Sequence, residues 1–183
     1  MQARGRGRPA RGSERPEEII VIGGHLDAWD KGQGAHDDGS GCVQAIEALD
    51  LIKRAGIRPK RTIRAVMYMN EENGMRGARA YPVAPERAGE KHCAAMESDA
   101  GGFAPRGFSV EGDSTLLPAV LRWQPVFERL EAGQLRAGGS GVDISTLADR
   151  GVPCFGLVVE GQRYFDYHHS DNDTLDKVHP REL

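Results

Sequence analysis

The sequence predicts an α/β fold built on a largely parallel sheet, and three observations lead there. Short apolar, β-branched runs alternate along the chain with segments of helical spacing. The first of these runs is nearly continuous in apolar residues rather than alternating, which suits a strand covered on both faces. Metal-binding residue types also follow the ends of several runs, and in open α/β sheets the C-terminal edge of the strands is where ligands bind.

Taken in order, Glu18 to Gly24 (EIIVIGG) is the first strand, stopped by its glycines. The glycine-rich loop that follows, within GGHLDAWDKGQGAHDDGSGC from Gly23 to Cys42, leads into a helix. Cys42, Ile46, Leu49 and Ile52 recur at helical spacing for about four turns, until Gly56 and Pro59 end the pattern. Arg61 to Asn70 is the second strand, with Glu71 and Glu72 at its end, and Asn73-Gly74 turns the chain into a short helix around Met75 to Tyr81. Cys93 to Ser98 is a third apolar run, followed by Asp99. Leu116 to Leu130 reads as a helix that Pro125 should kink or divide. The turn Gly138 to Gly141 precedes a short helix from about Asp143 to Asp149. Val152 to Glu160 is the last strand, and the aromatic, histidine-rich segment Tyr164 to Asp173 follows it.

No repeat or linker divides the chain, so the expected organisation is one domain over residues 16–183 after a basic, unpacked tail over 1–15. That tail carries five arginines against Glu14, a net +4, which leaves −7 on the rest of a chain whose total is −3. An acidic body argues against nucleic acid as the partner. No apolar run approaches the roughly 18 residues of a membrane span, and no apolar segment follows the basic start as in a signal peptide. Cys42, Cys93 and Cys154 are odd in number and widely spaced, so neither a disulfide framework nor a thiolate metal site is indicated, and each is expected to act as a small buried hydrophobe.

The chemistry-bearing candidates are His25 and Asp27, Asp37 and Asp38, Glu71 and Glu72, Asp99, and His168 and His169. Imidazole with carboxylate suits zinc, and His-x-Asp lets one group ligate while the other fixes the ring. Asp38 before Gly-Ser reads as a helix cap, which leaves Asp37 to point into the cleft. Adjacent carboxylates such as Glu71 and Glu72 repel in a cleft unless a cation holds one and a proton the other. Of the paired histidines only one need ligate. Ser40 and Ser140 lie outside any Gly-x-Ser-x-Gly elbow, the GGSG turn lacks the Lys-Ser ending of a phosphate loop, and no HExxH helix is present.

The segments GGHLDAWDKGQGAHDDGSG, RPKRTIRAVMYMNEENGMRGA, MESDAGGF and YFDYHHSDNDT, in this order from about Ile19 to Val178, resemble the co-catalytic di-zinc exopeptidases, the family of bacterial leucyl aminopeptidase and glutamate carboxypeptidase. The resemblance implies a three-layer sandwich, a largely parallel mixed sheet flanked by helices. It implies two Zn²⁺ per chain: Asp37 bridging, His25 and Asp99 completing one site, Glu72 and His169 the other. His169 is chosen over His168 because the family's ligand stands four residues before an acidic-Thr pair, here Asp173-Thr174. Glu71 is the implied general acid/base, Asp27 the partner of the His25 site, His168 a helper at the oxyanion, and Gly139 to Asp143 a substrate-lining loop. The implied substrate is a peptide or dipeptide, cleaved as by an aminopeptidase or dipeptidase. A homodimer is compatible with the resemblance, which also suggests a secreted or periplasmic location. Relatives usually carry further elements before Ile19 and after Leu183, so the chain reads as a catalytic core without them. Two other readings share the fold: a single-zinc acyltransferase of the glutaminyl-cyclase type, and a non-catalytic binding domain like that of the transferrin receptor.

Overall fold

The computed structural model describes residues 10–183. Its six strands are β1 (Arg15–His25), β2 (Arg61–Tyr68), β3 (Lys91–Glu97), β4 (Pro105–Glu111), β5 (Gln134–Ala137) and β6 (Cys154–Val159). They form one sheet in the order β2-β1-β3-β6-β4-β5. β1 runs parallel to both β2 and β3, and β3 parallel to β6. β4 is antiparallel to β6 and parallel to β5, so the sheet is mixed but largely parallel.

Helices cover both faces. Helix α1 (Ser40–Arg54) lies against β1 and β2, and its Ala45 and Ala48 share an apolar cavity with Ile22 and Met96. On the opposite face Ile19 and Val21 of β1 join a buried cluster with Ala78 of helix α2 (Arg76–Ala80) and Leu147 of helix α5 (Ser145–Ala148). Residues of β1 thus alternate between two covered faces, as a parallel strand's geometry requires. Burial of each such aliphatic side chain contributes ~1.5–3 kcal/mol.

Leu116 to Leu130 is two short helices, α3 (Leu116–Leu121) and α4 (Gln124–Glu128). Pro125 causes the division by standing in the first turn of α4, where its missing N–H costs nothing. Strands β4 and β5 have no counterpart in the sequence reading. β5 has only four residues, and β4 contains Gly107, at φ 151, where a Cβ would run into the Gln134 backbone of β5. The two strands can approach only because that side chain is absent.

Of the basic stretch 1–15, residues 1–9 lie outside the described residues. The rest corrects the expectation of an unpacked tail. Ala10 and Ile63 exchange N–H···O bonds of 3.0 Å each, and Ser13, Glu14 and Arg15 donate to the carbonyls of Pro59 and Lys60. The cause is β2: its edge and the turn before it offer backbone partners that a sequence pattern does not show. All three cysteines are free, Cys42 and Cys154 buried and Cys93 partly so. Among the described residues no helix is long and apolar enough to cross a membrane.

Candidate metal centre

Parallel pairing brings the C-terminal ends of β1, β2 and β3 to one edge of the sheet. The register pairs Gly23 with Val66 on one side and Glu97 on the other, and His25, which ends β1, with Tyr68. Two to four residues beyond β2 and β3 stand Asp99, Glu71 and Glu72, level with His25. The tight turn Ala35–Gly39 between β1 and α1 presents Asp37, and the segment after β6 brings His168 and His169 across from it.

The contacts are close. His25 Nε2 lies 3.1 Å from Asp37 Oδ1, 3.4 Å from Asp99 Oδ1 and 4.0 Å from Glu71 Oε2. His169 Nε2 is 3.6 Å from the other oxygen of Asp37, Oδ2, and 2.9 Å from Glu72 Oε2. His168 Nε2 is also 3.6 Å from Asp37 Oδ2 but has no such contact with Glu72. Asp37 therefore offers one oxygen to the His25–Asp99 side and one to the Glu72–His169 side.

Neighbouring groups aim these side chains. His25 Nδ1 meets the main-chain oxygen of Asp27 at 2.9 Å, whereas the Asp27 carboxylate is 3.9 Å away. That carboxylate instead accepts the Glu71 N–H at 3.1 Å. Asp27 thus orients the ring through its carbonyl and the Glu71 backbone through its side chain. Asp38 accepts N–H bonds from Gly41 in the first turn of α1 and from His25, both at 3.0 Å. One oxygen thus ties the first helical turn from the residue before the N-cap, Gly39, rather than from the cap position expected, and the other braces His25, although Asp38 also stands within ligand reach of His25 and Asp99. Gly24 makes room for it, since a Cβ there would run into the Asp38 carboxylate. Trp29 stacks on His169 with ring centroids 4.2 Å apart, and His168 stacks at 3.7 Å from the same ring. His169 holds a left-handed backbone, φ 56, which is uncommon for a non-glycine residue.

Burial by itself would push His25 down, but its hydrogen bond with Asp37 and the Asp99 carboxylate beside it outweigh that and raise it to about 12. Burial would raise Asp37, yet its hydrogen bond to His25 holds it below the usual carboxylate range. Glu71 and Glu72 are both pushed up, first by burial and then, against nearby histidines, by the surrounding carboxylates. The site is short of positive charge. Asp37 Oδ2, Glu72 Oε1 and Asp99 Oδ1 are moreover buried without any hydrogen-bond donor. Buried carboxylate oxygens with no donor, facing imidazole nitrogens, fit divalent cations of the zinc type.

Sequence reading missed the packing role of Trp29 and the bracing by Asp173, whose carboxylate accepts the N–H groups of His36 and Asp37. The signal for Asp173 was present in its acidic-Thr pair. The loop Gly139–Asp143 is tied to the end of β3, where Glu97 accepts the N–H groups of Val142 and of Ile144 just beyond the loop.

A family model described as Peptidase family M28 matches residues 9–183. Carboxypeptidase Q of Homo sapiens, to which the quoted motifs are also similar, is 38% identical over 172 residues, 94% of this chain and 36% of that protein. The chain thus spans about a third of the length of the curated relatives it matches. A peptidase M28 precursor from Shewanella amazonensis SB2B matches at a TM-score of 0.87 and 39% identity, over 95% of this chain and 40% of that one. A zinc aminopeptidase from Bacillus subtilis shares the fold at a TM-score of 0.72 and 17% identity, over 94% of this chain and 44% of that one.

Proposed function

We propose, from the premise that the chain belongs to peptidase family M28, that it is the catalytic domain of a two-zinc exopeptidase acting on peptides or dipeptides. One observation carries the two-metal reading: the oxygens of Asp37 face opposite ways, Oδ1 toward His25 and Oδ2 toward His169. In this reading His25 and Asp99 would hold one ion, Glu72 and His169 the other, and Asp37 would serve both. A single-zinc acyltransferase would need only one of these sides.

A pair of zinc ions supplies a water of lowered pKa and a polarised carbonyl. The remaining work falls to the chain. Glu71 takes the proton from the attacking water and returns it to the leaving amine. Its position, 4.0 Å from His25 and with its backbone held by Asp27, keeps it beside the ligands without joining them. Burial holds it above the usual carboxylate range, closer to the operating pH of a general base. His168, whose Nε2 lies 3.6 Å from Asp37 Oδ2, would donate to a substrate oxygen. Peptide-bond specificity near a chain terminus follows from the family resemblance.

The test is release of amino acid from free dipeptides and aminoacyl anilides, with and without a chelator, alongside metal analysis. Chelator-sensitive release with two zincs per chain is expected. Activity that survives metal removal, or one zinc per chain with full activity, would overturn the reading.

A further inference from the structure

We propose that Asp173 is the positioning residue for Asp37, and that it sets the distance between the two halves of the metal centre. The inference rests on the two-metal reading of the site. Asp173 is buried, 3% exposed, and among the described residues it has no ion-pair partner. Its two oxygens are instead divided between consecutive amides of the ligand-bearing turn: His36 N–H to Oδ1 at 2.7 Å and Asp37 N–H to Oδ2 at 3.0 Å. A buried carboxylate with two amide donors makes charge-assisted bonds, stronger than neutral ones and fixed in direction.

The turn has need of such a clamp. Asp37 and Asp38 depart from helical backbone angles, at φ −119, ψ 87 and φ −134, ψ 41, so no regular ladder holds the Asp37 amide. A backbone bond that helps close the turn runs from Gly39 N–H to Gly34 O. Two further bonds tie the same segments: Gln33 N–H to Asp173 O at 2.8 Å, and Leu175 N–H to Gln33 Oε1 at 3.0 Å. Asp173 follows His169 by four residues. The loop that carries His169 and the turn that carries Asp37 are therefore stitched into one piece, although more than 130 residues separate them in sequence.

Replacing one oxygen of Asp173 by an amide nitrogen would set an N–H against a backbone N–H. Asp173→Asn should therefore displace the bridging carboxylate, and both ions should suffer together. Groups that orient metal ligands typically change affinity about 10–100-fold when lost. The experiment is competition of the full chain against a zinc chelator, with the visible spectrum of the Co²⁺-substituted protein recorded at saturation. The expected result is a loss of about 10–100-fold for both ions in step, with shifted cobalt bands. A merely structural role would lower the melting temperature of the metal-free variant and leave, well below melting, both affinities and the cobalt spectrum as in wild type. That outcome would overturn the proposal. Should the Asn variant fail to fold, Asp173→Ser keeps one acceptor and should show a smaller loss shared by both ions; unchanged binding in it is equally fatal. A wild-type chain that binds fewer than two ions overturns the two-metal reading itself, whereas two ions in wild type with unaltered variants overturns only the role given to Asp173.

Discussion

Glu71 and Glu72 are neighbours in the chain with different surroundings. The Glu72 side chain is 2% exposed and contacts His169 at 2.9 Å, while that of Glu71 is 16% exposed and comes no nearer than 4.0 Å to His25. Glu71→Gln should keep both zincs and lower kcat by about 10²–10⁴-fold with KM little changed, the size of a positioned general base. Glu72→Gln should weaken one zinc site, with activity partly restored by added zinc. Zinc lost from the first variant and kept by the second would exchange their roles. Asp143 supplies a second test. It is wholly buried, and neither of its oxygens has a hydrogen-bond partner. Burial, opposed by His25 and reinforced by Glu71 and Asp99, pushes it up from 3.8 to about 7. A carboxyl raised on folding stabilises as the neutral acid, so its contribution is full below about pH 4 and is lost as pH rises through about 7. Every tenfold tightening of its hold on the proton is worth about 1.4 kcal/mol, and 1 kcal/mol moves the melting of a domain of this size by roughly 2–4 °C. Asp143→Asn, neutral at every pH, should melt like wild type near pH 4 and several degrees higher at pH 8, both metal-free. Equal shifts at the two pH values would contradict this.

At the level of elements, β1, β2, β3, β6 and α1 were legible because their apolar runs are long and bounded by glycine, proline or charge. Their parallel order also explains why the candidates His25, Glu71, Glu72, Asp99 and His169, each beyond a strand, stand at one sheet edge; the ligand set itself was implied by the family resemblance. β4 and β5 escaped for a physical reason. Gly107, Ser109 and Pro105 dilute β4, and β5 is too short to show a period, so tertiary pairing rather than local preference makes them strands. The Asp173-Thr174 pair stood in the sequence, but the clamp of Asp173 on His36 and Asp37 did not, being a contact that only the folded chain creates. The β4–β5 pair invites a substitution: Gly107→Ala places a Cβ against the Gln134 backbone at φ 151. A cost of roughly 1–3 kcal/mol is expected from backbone strain of this kind. Because the proposed ligands come from other elements, zinc stoichiometry should stay at the wild-type value while the melting temperature falls. Unchanged melting would remove the steric argument, and loss of zinc would show that this edge of the sheet supports the centre.

Over the whole molecule, positive charge is scarce in the cleft, and in the proposed reading metal uptake would balance it. The stack of Trp29 on His169 gives that event a visible trace. The chain has two tryptophans; Trp29 lies 4.2 Å from the His169 ring, and Trp123 is 64% exposed at the junction of α3 and α4. Their emission should therefore separate into a site-coupled component and a water-exposed, red-shifted one. Cu²⁺ added to the metal-free chain should quench the first and spare the second. Trp29→Phe should abolish the quenching, and Trp123→Phe should leave it intact. Equal quenching of both indoles, or of neither, would contradict the assignment of His169. The aromatic that packs the histidine thus makes the protein its own optical titrant, reporting the filling of one half of the centre in light.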